Sequence, residues 1–365
     1  MYKYPVYQPS LNGNEKKYVN ECLDSSWISS KGKFISEFEK KFAEFIGIKN
    51  AVCVTNGTVA IHLALETLGI KKGDEVIVPT FTYIASVNPI VMTGAKPVFI
   101  DSLPDTWQLD TRDLERKITP KTKAVIAVHL YGMMCDMDAV MKIAKKHNLY
   151  VIEDCAEAIG SRYKGKHAGT FGDISTFSFF GNKTITCGEG GMVVSNNDAL
   201  TKRAAKLKGQ GLAGTKEYWH DEIGYNYRMT NIAAAIGLAQ LEQADQFIAK
   251  KRVIAGWYKD FLKGLPLWFH DGAPHVFHSY WMCSILTESE EERAKLREYM
   301  KHEGIETRPT FYPAHTMPMY YKKGRCFETA EDISLRGINL PSYPALNRRD
   351  VQNICGVIRK FYESR

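Results

Sequence analysis

The sequence predicts an α/β fold: a mainly parallel central sheet with helices on both faces, followed by a smaller α+β domain. Three observations predict it. Short apolar runs of strand length recur through the first half of the chain, with helical patterns between several of them. The pattern turns helical from Asn231 to about residue 262, then mixes short strands with helices. The 365 residues exceed the length at which a single hydrophobic core stops growing. A large domain over residues 1–262 and a small one over 263–365 follow.

The elements can be taken in order. Residues 14–24 and 34–47 have the periodicity of amphipathic helices, joined by the polar segment Ser25–Lys33. Ala51–Thr55 is a short apolar strand, Asn56-Gly57 a turn, and Thr58–Leu68 a helix closed by Gly69. Strand-like runs recur at Glu75–Pro79, Pro97–Asp101, Ala124–Val128, Tyr150–Asp154, Ile174–Phe179 and Gly191–Ser195, with a helix at Met137–His147. In such a sheet the ligand lies outside the carboxyl ends of the strands. Beyond residue 262 the sequence predicts a strand at Ser279–Ile285 and helices at Glu290–His302 and Asp350–Tyr362.

Composition excludes several classes. The net charge of +7 suggests nucleic acid, but the basic residues are scattered among acids and form no run. Handling of phosphorylated ligands accounts for the bias as well. Eight cysteines without a C-x-x-C pair argue against a zinc site and a disulfide scaffold, and fit a reducing cytoplasm. The ten histidines show no ligand spacing such as H-E-x-x-H, so no metal is expected. Val76–Ala95 is uncharged over a membrane-span length, but Pro79, Asn88, Pro89 and Gly94 interrupt it, so strand, turn and helix is the reading. The first residues lack a basic region followed by an apolar stretch, so no signal peptide is expected.

The chemistry centres on Lys183, in Ser178-Phe-Phe-Gly-Asn-Lys-Thr-Ile-Thr-Cys-Gly-Glu-Gly-Gly191. Phenylalanines precede it and glycines follow. An amine in an apolar setting is favoured in its neutral, nucleophilic form and can condense with an aldehyde. The bland alternative is a lysine paired structurally with Glu189. About 29 residues upstream, Tyr150–Asp154 ends in an acid at the mouth of the sheet. A Schiff-base lysine and an acid for a pyridinium nitrogen are the two groups that pyridoxal phosphate needs most. Asn56-Gly57-Thr58 opens a helix, whose first N–H groups suit a phosphate; an ordinary turn is the alternative. Ser178 is a second phosphate candidate. Tyr83, or else Phe81, could stack on the ring. Gly209-Gln-Gly-Leu-Ala-Gly214 matches a dinucleotide fingerprint, but a basic helix-like run precedes it rather than a strand, so it reads as a loop.

Several segments together resemble the DegT/DnrJ/EryC1/StrS sugar aminotransferases, of the type I aspartate-aminotransferase fold, over nearly the whole chain. They are Pro5-Val-Tyr-Gln-Pro-Ser, Ser26-Trp-Ile-Ser-Ser-Lys-Gly-Lys, Asn56-Gly-Thr-Val-Ala, Val78-Pro-Thr-Phe-Thr-Tyr, Ile152-Glu-Asp-Cys-Ala-Glu-Ala-Ile-Gly, Ser178-Phe-Phe-Gly-Asn-Lys, Tyr225-Asn-Tyr-Arg-Met-Thr-Asn and Arg308-Pro-Thr-Phe-Tyr-Pro-Ala-His. The resemblance implies pyridoxal 5′-phosphate bound through Lys183, with Asp154 on the ring nitrogen. Gly57, Thr58 and Ser178 would hold the phosphate. Asn226, with Arg228 as the alternative, would reach it from the neighbouring subunit of a homodimer. Glu157 falls where many relatives carry glutamine or histidine near the ring oxygen, which requires its carboxyl to be protonated or turned away. Tyr312, His315 and the Ser29–Lys31 loop would meet the sugar nucleotide. L-Glutamate would be the amino donor. The branch most resembled acts at C4 of GDP-4-keto-6-deoxy-D-mannose, with a dTDP- or UDP-linked ketosugar as the alternative. Lys183 argues against the branch that carries histidine there and dehydrates the sugar. The complete set of cofactor residues argues against a non-catalytic regulator on the same fold.

Overall fold

Apolar runs that cannot be solvated on either face must be covered on both, and the structure does this with a seven-stranded sheet. The computed structural model describes residues 2–273 and 275–364. The sheet order is 50–54, 191–195, 174–178, 150–154, 122–128, 75–79, 96–100. Gly191–Ser195 runs antiparallel to both of its neighbours, and the remaining pairs are parallel. The expected mainly parallel sheet is therefore present, with one strand reversed. Ile174–Ser178 and Gly191–Ser195 are buried along their whole length.

Lys33–Ile46 shows why the first helices fold against this sheet. Phe34, Phe38 and Phe42 recur every four residues and are all buried. Phe42 meets Phe177 edge-on at 4.9 Å and Phe179 at 5.3 Å. The aromatic stripe thus packs on the strand that leads to Lys183. The helix stops at Gly47, whose φ of 74° suits a residue without a side chain.

The helical stretch expected over 231–262 divides into Asn231–Leu241 and Ala244–Phe261. At the break, the Glu242 carboxylate accepts hydrogen bonds from Asn14 Nδ2 at 2.7 Å and Tyr18 Oη at 2.6 Å. The strand expected at Ser279–Ile285 is shorter, Cys283–Leu286, because Tyr280 takes a positive φ of 51°. It joins a four-stranded antiparallel sheet in the order 268–269, 283–286, 337–340, 308–309. Helices Glu290–His302, Glu328–Arg336 and Arg348–Glu363 accompany that sheet. Gly209 follows the helix Asp198–Lys208 rather than a strand, in keeping with the rejection of the dinucleotide fingerprint.

Two cores share one helix. Ala244 and Phe247 belong to the large core, whereas Ile254, Ala255, Tyr258 and Leu262 pack with Cys283, Ile338 and Ile358. The N-terminal segment joins the second core through Tyr4. Among the described residues no helix is long and apolar enough to cross a membrane. Among the described residues all eight cysteines are free, and only Cys326 is exposed.

Replacing Phe42 by alanine should lower the unfolding free energy by about 3–5 kcal/mol, the usual cost of emptying a buried phenylalanine site. Denaturant titration of purified wild type and variant measures it. A loss under about 0.5 kcal/mol, the scale of a surface change, would refute the packing role.

Candidate active site

Asp154, Ser178 and the turn after Val54 stand at the carboxyl ends of strands that run the same way. Asp154 is paired in register with Val128 and with Thr176. Its carboxylate is buried. Oδ2 accepts from Ser86 Oγ at 2.7 Å and Oδ1 from the Ala156 N–H at 3.0 Å. Ser86 Oγ is also in contact with Thr82 Oγ1 at 2.9 Å. These donors fix the carboxylate at the strand end.

Lys183 lies in the turn after Ile174–Ser178. Its Nζ is 3.6 Å from Glu157 Oε1 and 4.0 Å from the centre of the Trp281 ring. Indole faces attract cations. Trp281 Nε1 donates to the Asn182 carbonyl at 2.7 Å, and Tyr7 Oη donates to the Lys183 carbonyl. The neighbours of the lysine therefore come from the N-terminal segment, the central sheet and the C-terminal part. The sequence carried no sign of Trp281, since no local pattern marks a contact across 98 positions. Tyr7 lies within one of the family-like segments, yet its role was not legible there.

Glu157 is buried and its Oε2 accepts from the Tyr131 N–H at 2.8 Å. Burial pushes its pKa up to about 7, and the Lys183 charge acts in the opposite direction. The carboxyl faces Lys183, and burial keeps its proton on to higher pH than in an ordinary glutamate. Tyr131 has a φ of 55° and stacks between Phe311, at 5.3 Å, and Trp281, at 6.0 Å.

The phosphate candidates form a tight cradle. Asn56 caps the helix Gly57–Thr67 by accepting from the Val59 N–H at 3.0 Å. A side chain at Gly57 would put Cβ 2.7 Å from Ser178 Cβ, so only glycine allows the helix start to approach Ser178. Thr58 follows in the first turn. This cradle, the strand-end Asp154 and the adjacent Lys183 fit pyridoxal phosphate in both charge and spacing of roles.

Of the two ring candidates, Phe81 is buried against Trp107 and Tyr131. Tyr83 is 58% exposed and lies 5.6 Å from the Phe311 ring. Asn226 is exposed, with Oδ1 accepting from Arg228 Nε at 3.0 Å. Ser29 and Lys31 are exposed too. Their loop is clamped by buried Asn231, whose N–H donates to the Ser29 carbonyl at 2.6 Å and whose Nδ2 donates to the Trp27 carbonyl at 2.7 Å. Tyr312 is exposed. His315 is different: it is buried, with Nδ1 2.7 Å from Thr80 Oγ1 and Nε2 2.9 Å from Glu331 Oε1. Both ring nitrogens are engaged within the protein, which makes it a strut beneath the Phe311–Tyr312 segment.

Among the described residues one cluster of possible metal ligands exists, His129, Glu153 and Cys155, with ligand atoms within 4.8 Å of one another. The carboxylate already accepts from the N–H groups of Gly169, Phe171 and Gly172 and from Ser175 Oγ. The Cys135 N–H donates to His129 Nδ1, so that nitrogen is unprotonated and Nε2–H faces Glu153 at 3.0 Å. The cluster is a hydrogen-bonded support under the strand ends.

A strand-end acid, a lysine over one indole face and a helix start against a serine stand together at the carboxyl ends of a sheet of the aminotransferase type. The chain belongs to the DegT/DnrJ/EryC1/StrS aminotransferase family, whose profile matches residues 9–359. It is 62% identical to a GDP-perosamine synthase of Escherichia coli O157:H7, over 99% of both chains. It is 54% identical to a GDP-perosamine synthase of Vibrio cholerae, over 98% of this chain and 99% of that one. The crystal structure of S. venezuelae DesV in complex with a ketimine intermediate superposes with a TM-score of 0.91 at 34% identity, covering 96% of this chain and 94% of that one.

Glu157 generates a pH prediction. Its folded pKa of about 7 lies above the ordinary 4.5, so the folded state holds the extra proton between those values. Its contribution to stability is therefore present at low pH and is lost as pH rises from about 4.5 through about 7. Cofactor-free wild type should lose stability relative to Glu157→Gln across that window. Parallel slopes in denaturant midpoints measured from about pH 5 to about pH 8 would contradict it.

Proposed function

We propose that this chain uses pyridoxal phosphate to transfer an amino group from L-glutamate to C4 of GDP-4-keto-6-deoxy-D-mannose, giving GDP-perosamine for a surface polysaccharide. The observation that carries this reading is the seat of Lys183 between Glu157 and Trp281, on a chain so similar to two GDP-perosamine synthases. When bound, the cofactor supplies an electron sink for breaking and making bonds at the amine-bearing carbon. The protein's residues do the rest.

Lys183 Nζ carries a proton to and from the reacting carbon. Glu157, 3.6 Å away, can take up or return a proton at Lys183 without facing bulk water. Asp154 keeps a proton on the ring nitrogen, and its two donors hold it in place. Gly57, Thr58 and Ser178 bind the phosphate, and Tyr83 covers the open side. Ser29, Lys31 and Tyr312 are assigned to the sugar-nucleotide rim, with His315 acting through its support of that rim.

The working unit is read as a homodimer, in which Asn226, or else Arg228, completes the partner's phosphate site. The exposure of Trp27, Ile28, Trp219 and Ile223, in the segments that carry Ser29 and precede Asn226, supports it. The enzyme is assigned to the cytoplasm, with 1–262 as the cofactor-binding domain and 263–365 as the small domain.

Lys183→Ala should abolish turnover while leaving a folded protein that binds pyridoxamine phosphate. Amine formation by mass spectrometry and cofactor absorbance test it, and near-normal transamination would remove Lys183 from its role. Substrate choice is the second test. GDP-4-keto-6-deoxymannose should exceed dTDP-4-keto-6-deoxyglucose in kcat/KM by about 10²-fold or more, because the wrong base leaves buried polar groups unpaired. Equal values would keep the aminotransferase reading and overturn the GDP assignment.

A further inference from the structure

Lys251 is a buried lysine that the chemistry above does not use. It sits within the helix Ala244–Phe261 at 1% exposure. Its Nζ donates to the carbonyls of Trp281 at 3.0 Å and Ser342 at 2.8 Å. It lies 5.1 Å from the centre of the Tyr7 ring. Among the described residues it has no carboxylate partner, and burial lowers its pKa to about 7, with Cys283 as the one opposing group. An apolar side chain of similar volume would avoid that desolvation cost. The amine therefore has to be explained by what it holds.

What it holds is the surround of Lys183. The Trp281 ring lies under Lys183 Nζ, and its Nε1 fixes the Asn182 carbonyl. Tyr7 fixes the Lys183 carbonyl. Ser342 ties the N-terminal segment to the same place, donating its N–H to the Val6 carbonyl at 3.3 Å and accepting from the Cys283 N–H at 3.2 Å. Tyr280, just before Trp281, holds a positive φ of 51°, a conformation that a tyrosine keeps only with outside support.

We propose that Lys251 is a positioning residue for amine transfer: by bonding the Trp281 and Ser342 carbonyls under the Tyr7 ring, it sets where Lys183 Nζ stands. The inference rests on Lys183 being the reactive amine. Without Lys251, two buried carbonyls lose their donor and the Trp281 turn relaxes. A displacement of about 1 Å at a reacting group can cost about 10²-fold.

The test compares Lys251→Met, which keeps the bulk and removes the donor, with Lys251→Gln, which keeps N–H donors without the charge. Lys251→Met should fold with a wild-type circular-dichroism spectrum. Its kcat should fall by about 10- to 10²-fold with KM for glutamate within about twofold. The pH midpoint of the bound cofactor's visible absorbance band should move, because the indole beneath the nitrogen has moved. Lys251→Gln should recover most of kcat. A folded Lys251→Met with wild-type kcat and band midpoint overturns the proposal. So does a Lys251→Gln no better than Lys251→Met, or failure of both variants to fold. Turnover by Lys183→Ala would instead overturn the reading of the site itself, so the two failures are distinguishable.

Discussion

One lysine side chain, seated between a buried carboxyl and an indole face, is the constraint on which the site depends. Glu157 comes from the turn after a central strand, Trp281 from the segment just before the strand Cys283–Leu286, and Tyr7 from the N-terminal segment. No two of these are close in sequence. Each is tied to backbone: Glu157 to the Tyr131 N–H, Trp281 to the Asn182 carbonyl, Tyr7 to the Lys183 carbonyl. The folding of both cores is thus a precondition for the chemistry of one side chain.

The energetics at Glu157 are a contest between two terms of opposite sign. Burial disfavours its charge, and the neighbouring amine favours it. Burial is the larger, which places the group where proton exchange near neutral pH costs least. A glutamine at that position would supply the same shape without a titrating proton. The peptide that donates to Glu157 belongs to Tyr131, which is held at a positive φ of 55° and pinned by stacking on both sides. The strain is offset by the stacking of these rings.

The sequence made the strands legible because most read as short apolar runs; the inner ones, such as Glu75–Pro79 and Gly191–Ser195, are buried along their whole length, while the outer strands 50–54 and 96–100 are only partly buried. The strand-end position of Asp154 and the place of Lys183 in the turn after Ile174–Ser178 were legible from the apolar runs that precede them. Gly57 was legible as a turn; its reason, the 2.7 Å approach to Ser178, is a long-range contact that no local pattern encodes. Ser86, Tyr131 and Trp281 escaped for the same reason. The helix Asn88–Met92 falls within the strand, turn and helix read over Val76–Ala95, but the short helix Thr111–Arg116 and the hairpin 162–167 were missed because they are too brief to show a period. His315 shows the reverse error. A histidine in a family-like segment invites a binding role, but Thr80 and Glu331 already occupy both nitrogens.

The division between cofactor chemistry and substrate choice follows from the architecture. Strand ends are rigid, since their backbones are bonded on both sides, and the groups that must meet the cofactor stand there. The candidate substrate residues Ser29, Lys31 and Tyr312 stand on exposed segments, each backed by one buried polar clamp. Asn231 holds the first loop and His315 the second. Gly32, with a φ of 148°, leaves no room for a side chain against Asn231, so the loop's path is set from inside. Such loops can change their outer residues without disturbing the clamp. On this fold the nucleotide can therefore vary while the lysine, the aspartate and the phosphate cradle stay fixed.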